Sequence, residues 1–268
     1  MVVRIVTERC TDVGIAWSAV IATDPLAPLA QLPGVVEASD AARVAIAGAH
    51  RHRVNLRGWP ASAAEAAVRG ARASSVLDGG ALSITADDGQ PEPVLAGALR
   101  VAEALQGGAT ALVGVWKRAP LQAIARLHAL AAADLTDPEA LGRPRPDPDV
   151  GRRLELLGDI VTGGSRVPAP VLAAVAHGEL LTLAPFGVAD GVVARAVSRL
   201  ITMTSGLDPH GLGVPEMYWM RESGDYRAAA RGFASGTPDG LAVWLISSAR
   251  ALEDGAREAL SIAEASSG

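Results

Sequence analysis

Residues 184–195 read Ala184-Pro185-Phe186-Gly187-Val188-Ala189-Asp190-Gly191-Val192-Val193-Ala194-Arg195, and this stretch decides how the rest of the chain is read. Pro185 restricts the backbone of the segment, and Phe186 is an apolar anchor for it. The flanking segments have helical character. Pro170 to Leu183 leads in, and Gly191 to Thr204 leads out, with Ser205-Gly206 as a stop and Pro209 just beyond. Asp190 is placed to be the N-cap of the second helix. The stretch is therefore expected to be a tight loop between two helices.

Working outward, helices dominate. Val36 to Arg53 reads as a helix whose basic end, His50-Arg51-His52-Arg53, suits the negative pole of the helix dipole. Pro60 is expected to open a second helix running to about Ser75, stopped by Asp78-Gly79-Gly80. Leu82 to Thr85 is expected to form a short strand, and Pro91 to Gln106 a helix. Leu121, Ile124, Leu127 and Leu130 recur at helical spacing in a helix from Pro120 to Asp134. Arg143-Pro144-Arg145-Pro146-Asp147-Pro148 is an exposed loop, because proline lacks a donor and restricts its predecessor. Val150 to Val161 is another helix. The last begins with Thr237 as N-cap, Pro238 in the first turn and Asp239 near the positive end, and runs to about Ala265. Residues 1–22 alternate in the manner of one or two edge strands. The expected organisation is a mainly α chain: an N-terminal extension with minor strands over 1–35, then a helical unit over 36–268.

Composition agrees. Of the 268 residues, 49% are apolar but only 3% aromatic, so the core is built from Ala, Val and Leu, which suits close-packed helices. A net charge of −5 gives no sign of a nucleic-acid-binding surface. The single cysteine, Cys10, excludes an internal disulfide and fits a cytoplasmic setting. The apolar run Val13 to Ala22 is too short to span a bilayer. No histidine pair has metal-ligand spacing, so no metal site is expected. His128, among Leu127 and Leu130, is expected to be a core or boundary residue, and His210, next to Pro209, a loop residue.

The 184–195 stretch resembles the signature of Fic (Fido-domain) proteins, H-P-F-x-[DE]-G-N-G-R-x-x-R, of whose nine specified positions it keeps four: Pro185, Phe186, Gly191 and Arg195. Ala176-His177-Gly178-Glu179-Leu180 is similar to the run that precedes that signature. Leu121 to Leu130 is similar to the family's Leu-His helix. Ser74-Ser75-Val76-Leu77-Asp78-Gly79 is similar to the inhibitory motif [ST]-x-x-x-E-[GN] of autoinhibited members, with Asp for Glu. The resemblance covers roughly residues 36 to 265 and implies a Fic-like helical fold.

By the same resemblance, Ala184 stands at the position of the base that deprotonates a target hydroxyl, Val188 at the metal-binding acid and Val192 at the first phosphate-gripping arginine. Alanine has no titratable side chain, and valine offers neither an oxygen beyond its backbone nor a planar donor fork. Asp190, Gly191 and Arg195 remain at nucleotide-binding positions, with the Asp190 charge where a phosphate would lie. Asp78 and Arg195 stand at the inhibitory acid and the second arginine, and are expected to form an ion pair. Arg199, four residues on, shares that helical face and is expected to compete for Asp78. His177 and Asp190 are the replacement candidates for the base. The target-docking flap is expected within residues 142–166.

Two readings follow. The first is a catalytically degenerate Fic-like protein that acts as a binding or regulatory scaffold, with an unidentified protein partner or as a homo-oligomer. The second is an active transferase that moves AMP or a related phosphate-containing group from a nucleotide, ATP with Mg²⁺, to a protein hydroxyl. An enzyme of another class has no supporting motif. Neither nucleic acid nor membrane is expected as a partner.

Overall fold

The computed structural model describes residues 24–83, 89–106 and 112–266, and every regular element among them is helical. A helical turn, Ala27–Ala30, precedes α1 (Val35–Arg51), α2 (Asn55–Leu77), α3 (Pro93–Gln106), α4 (Leu112–Arg118), α5 (Pro120–Ala131), α6 (Pro148–Asp159), α7 (Ala169–Leu183), α8 (Asp190–Thr204), α9 (Pro215–Arg221), α10 (Ser223–Ser235) and α11 (Pro238–Ala265). The strands expected within residues 1–22 lie outside the described residues. So does most of the strand expected at Leu82 to Thr85, of which Leu82 and Ser83 form a bend. No helix among the described residues is long and apolar enough to cross a membrane.

α7 is the central element. Val171, Ala174 and Val175 pack into one apolar cluster with Trp219, Phe233 and Trp244. Ala173, Ala176, Leu180 and Leu183 pack into a second with Ile124, Leu127, Val193 and Val197. A helix apolar on all sides has to be enclosed on all sides, and α7 is. α8 packs along it. α11 lies along α1 and buries Ala249, Leu252 and Ala256 against Ala42, Ile46 and Ala49. Leu26, Leu29 and Ala30 are buried in the cluster that holds Trp244, so the described part of the expected N-terminal extension is integral to the helical core.

Small side chains set the spacing between helices. A Cβ on Gly97 would overlap the Ala131 carbonyl, so α3 crosses α5 closer than any residue but glycine allows. An alanine-rich core draws its dispersion energy from such close approach rather than from large rings.

Helix boundaries differ from the sequence reading: α5, expected to reach Asp134, ends at Ala131, and the starts of α2 and α8 shift for identifiable reasons. α2 begins at Asn55, and Pro60 lies inside it. Proline there removes only one i→i−4 donor near the helix start, and the backbone bonds Leu56 to His52 and Gly58 to Val54 start the helix upstream of it. α8 has Ala189, not Asp190, at its N-cap position. Ala189 is in the left-handed region at φ 55°, and Asp190 is the first helical residue. The Thr237 cap holds as expected: its hydroxyl accepts from the Gly240 amide at 3.2 Å.

Candidate functional site

The site is the loop of residues 184–189 with the start of α8 and the end of α2. α7 ends on Ala184 at φ 43°, ψ 61°, a left-handed C-cap that turns the chain towards Pro185. Ala184 and Ala189 are the non-glycine residues of positive φ among those described. Each pays about 1–2 kcal/mol for the Cβ clash of that region, so the surroundings must hold the loop in place.

Three contacts do so. The Asp190 carboxylate does not cap α8. It turns back and accepts from the amides of Phe186 at 3.0 Å and Gly187 at 2.7 Å. Phe186 stacks on His128, with ring centroids 3.9 Å apart and planes within 6°. Arg145 reaches across from the proline-rich loop. Its Nε donates to the Ala184 carbonyl and its Nη2 to the Leu183 carbonyl, both at 3.1 Å, while its amide donates to the Pro185 carbonyl at 2.8 Å. A guanidinium on the exposed carbonyls of a helix C-terminus is favoured by the helix dipole.

From the other side comes α2, which ends in a Schellman turn. Gly79 at φ 85° allows Gly79 N–H to reach the Val76 carbonyl and Gly80 N–H to reach that of Ser75. This turn projects Asp78 onto the start of α8. Its Oδ1 lies 2.6 Å from Arg195 Nη2, and its Oδ2 accepts from the Val192 amide at 3.0 Å. The approach is close enough that a Cβ on Gly191 would overlap the carboxylate.

Arg195 is 2% exposed and satisfied from within the fold. Nε donates to Ser74 Oγ at 2.8 Å, Nη2 also to the Ser74 carbonyl at 3.0 Å, and Nη1 to Tyr226 Oη at 3.3 Å. Burial works against its charge. The Asp78 carboxylate, with Tyr226, more than offsets this and holds the guanidinium above its ordinary pKa. Burial raises Tyr226, and the Arg195 charge opposes that rise. Ser75, the other inhibitory-like serine, is fully buried, and its hydroxyl has no partner among the described residues.

The two candidate bases part company. His177 is fully enclosed, with Nε2 2.9 Å from Tyr226 Oη and its ring edge-on to Trp219 and Trp244. Burial, then the nearby Arg195 charge, push its pKa well below the ordinary value. It is a core histidine out of reach of any substrate, because α9, α10 and α11 close over it with Trp219, Tyr226 and Trp244. Asp190 is at the loop. Its pKa is raised by burial, opposed by the two amides and by Arg145, with Asp78 adding to the rise. Arg199 does not compete for Asp78. It donates to the Gly211 and Gly213 carbonyls and pairs with Glu216 at 3.0 Å.

His128 is buried as expected. Its Nδ1 accepts from the Gly142 amide at 2.9 Å, and its pKa is lowered by burial, opposed by the Val188 backbone. His210 stacks on Trp59. Two contributors escaped the sequence reading. Tyr226 gave no signal at the level of residue roles. Arg145 gave a faint one: a charged residue between Pro144 and Pro146 is displayed by a backbone with little freedom.

The space beside Arg195 is small. A cavity of about 30 Å³ between α2, α3 and α8 is lined by Gly70, Ser74, Val101, Val192, Arg195 and Arg199. That admits a water or two, not a nucleotide. Among the described residues no group of three or more His, Cys, Asp or Glu side chains is placed to hold a metal ion.

No family model matches the sequence, and no curated protein matches it either. Among solved structures, the chain is similar to a Fic family protein from Desulfovibrio desulfuricans, at a TM-score of 0.64 and 18% identity, over 93% of this chain and 77% of that one. The fold is therefore Fic-like.

Proposed function

We propose that the protein is a catalytically degenerate Fic-fold scaffold that works by binding a partner and does not transfer nucleotides. The observation that carries this reading is where the anion-binding donors of the loop go. Fic-type chemistry needs free amides at a helix start and free arginine donors for phosphate. Here Asp190 takes the amides of Phe186 and Gly187, while Asp78 takes the Val192 amide and Arg195. Two carboxylates thus fill the cradle, and a phosphate would have to displace both against their charge. Val188 brings no side-chain oxygen for a metal, and Ala184 no base. The residues present do not fit a magnesium nucleotide. The low thiol content remains in keeping with a cytoplasmic setting.

One observation favours the second reading, a transferase: Asp190 has a raised pKa and stands in the loop, as a general base must. The experiment is incubation with labelled ATP and Mg²⁺ or Mn²⁺, scored for modification of the protein itself and of lysate proteins, with calorimetry for nucleotide binding. The scaffold reading expects neither transfer nor binding by the wild type. Transfer that disappears in Asp190→Asn would overturn it in favour of the transferase. Binding that appears only in Asp78→Ala would identify Asp78 as the occupant that keeps nucleotide out.

A further inference from the structure

The elbow between α1 and α2 gathers three arginines whose charges no carboxylate of the described residues compensates. Arg51, Arg53 and Arg57 are all exposed, and none has a carboxylate partner among the described residues. Half of the other described arginines pair with a carboxylate. Arg69 does so with Glu65 and Glu258, Arg100 with Asp134, and Arg153 with Glu179. α2 starts on Val54 with no side-chain cap and no acidic residue in its first turn. Arg57 sits in that turn and Arg53 just before it, facing the positive end of the helix dipole, where a cation is unfavourable. Arg51 suits the C-terminal end of α1, but Arg53 and Arg57 gain nothing from the start of α2.

The same elbow displays apolar surface. Leu56 is 65% exposed, and Val44, on the outer face of α1, is 60% exposed. Val44, Gly48 and Arg51 follow at helical spacing on one stripe, and a Cβ on Gly48 would meet nothing.

The elbow is held rigidly from beneath. Asn55 Nδ2 donates to the Ala49 carbonyl at 2.9 Å, His50 Nε2 lies 2.7 Å from Asp208 Oδ1, and Trp59 stacks on His210 at 4.0 Å. Asp208 is buried and accepts from the Leu212 and Gly213 amides as well. Three unpaired cations and two large aliphatics are thus presented on a fixed frame. Preorganisation of this kind lowers the entropy lost on binding.

We propose that this elbow, Val44 with Arg51, Arg53, Leu56 and Arg57, is a docking surface for an acidic segment of a partner protein that carries apolar residues among its carboxylates. Charge complementarity selects the acid. Leu56 and Val44 select an apolar counterpart, which a phosphate backbone does not offer. A nucleic-acid site would spread more cations along a groove, and this chain carries net negative charge. The surface is apart from the loop cleft: α2 holds the elbow at one end and Asp78 at the other.

The test uses the full chain and a fluorescent peptide of glutamates with two leucines one helical turn apart, followed by anisotropy at low and physiological salt. Wild type is expected to bind, more weakly as salt rises. Arg53→Glu with Arg57→Glu is expected to weaken binding by about tenfold or more, and Leu56→Ser by several-fold. The charge reversals place acids at the start of α2, so a melting temperature no lower than wild type shows the fold intact. Should they fail to fold, Arg57→Gln carries the comparison. The proposal is overturned by no peptide binding at low salt, or by equal binding of the variants. It is also overturned by equal binding of a peptide with serine in place of leucine, or by tighter binding of single-stranded DNA or RNA than of the peptide.

Discussion

Asp78 and Arg195 stand 117 positions apart in the chain and 2.6 Å apart in the fold, and the carboxylate of one also binds the helix start that carries the other. The pair joins the last turn of α2 to the first turns of α8. Asp78 is 20% exposed and Arg195 2%, so the buried cost falls on the arginine.

Removing one partner of such a pair is costlier than the pair's own net worth, because it leaves a buried group uncompensated. Arg195→Ala is expected to cost about 3–5 kcal/mol, since the Ser74 carbonyl, Tyr226 Oη and Asp78 all lose a donor. Arg195→Lys should recover little, because an ammonium cannot match a planar fork that serves four acceptors. Urea unfolding of the variants checks both. A loss below about 1 kcal/mol, the scale of an ordinary surface pair, would contradict the buried-hub description.

Gly191→Ala should push Asp78 away from α8, because the new Cβ overlaps the carboxylate. Overpacking of this kind costs about 1–3 kcal/mol. In an Asp78→Ala background the same change should cost far less. A double-mutant cycle reads the difference, and additive effects would show that Asp78 is not what Gly191 makes room for.

Arg145→Ala removes two side-chain bonds from the carbonyls that flank the left-handed Ala184. The expected loss is about 1–2 kcal/mol, together with faster amide exchange confined to the 184–190 loop. Exchange that rises uniformly through α7 and α8 would mean Arg145 supports the whole fold rather than the loop.

Acid should destabilise the protein before its carboxylates titrate. The pKa values of His177, His128 and His210 are all lowered, chiefly by burial. A group depressed in the folded state contributes stability above its unfolded value and loses it as pH falls. The window therefore opens near pH ~6.5, the unfolded histidine value, and extends downward towards the depressed folded values. Asp190, raised in the fold, works in the opposite direction within the carboxylate range. Stability measured from pH 8 to pH 5 should fall, and His177→Gln should flatten the slope. An unchanged slope in that variant would remove His177 from this account.

The sequence by itself determined the helical architecture, the loop at 184–189 and the Thr237 cap. These follow from local rules: hydrophobic period, proline and glycine punctuation, and capping chemistry. The resemblance of short motifs added which segments face each other, and with it the two charges, Asp78 and Arg195, that meet across 117 positions. Three outcomes were decided by the tertiary structure. Asp190 turned from helix cap to loop clamp because Ala189 took the left-handed position and left the Phe186 and Gly187 amides within its reach. His177 became a core residue because α9, α10 and α11 close over that face of α7 with Trp219, Tyr226 and Trp244. Arg145 became a support of the loop because the proline-rich segment folds back onto the end of α7. In each case the deciding partner is remote in sequence, and which of several polar groups receives a given donor is settled by packing, not by spacing along the chain.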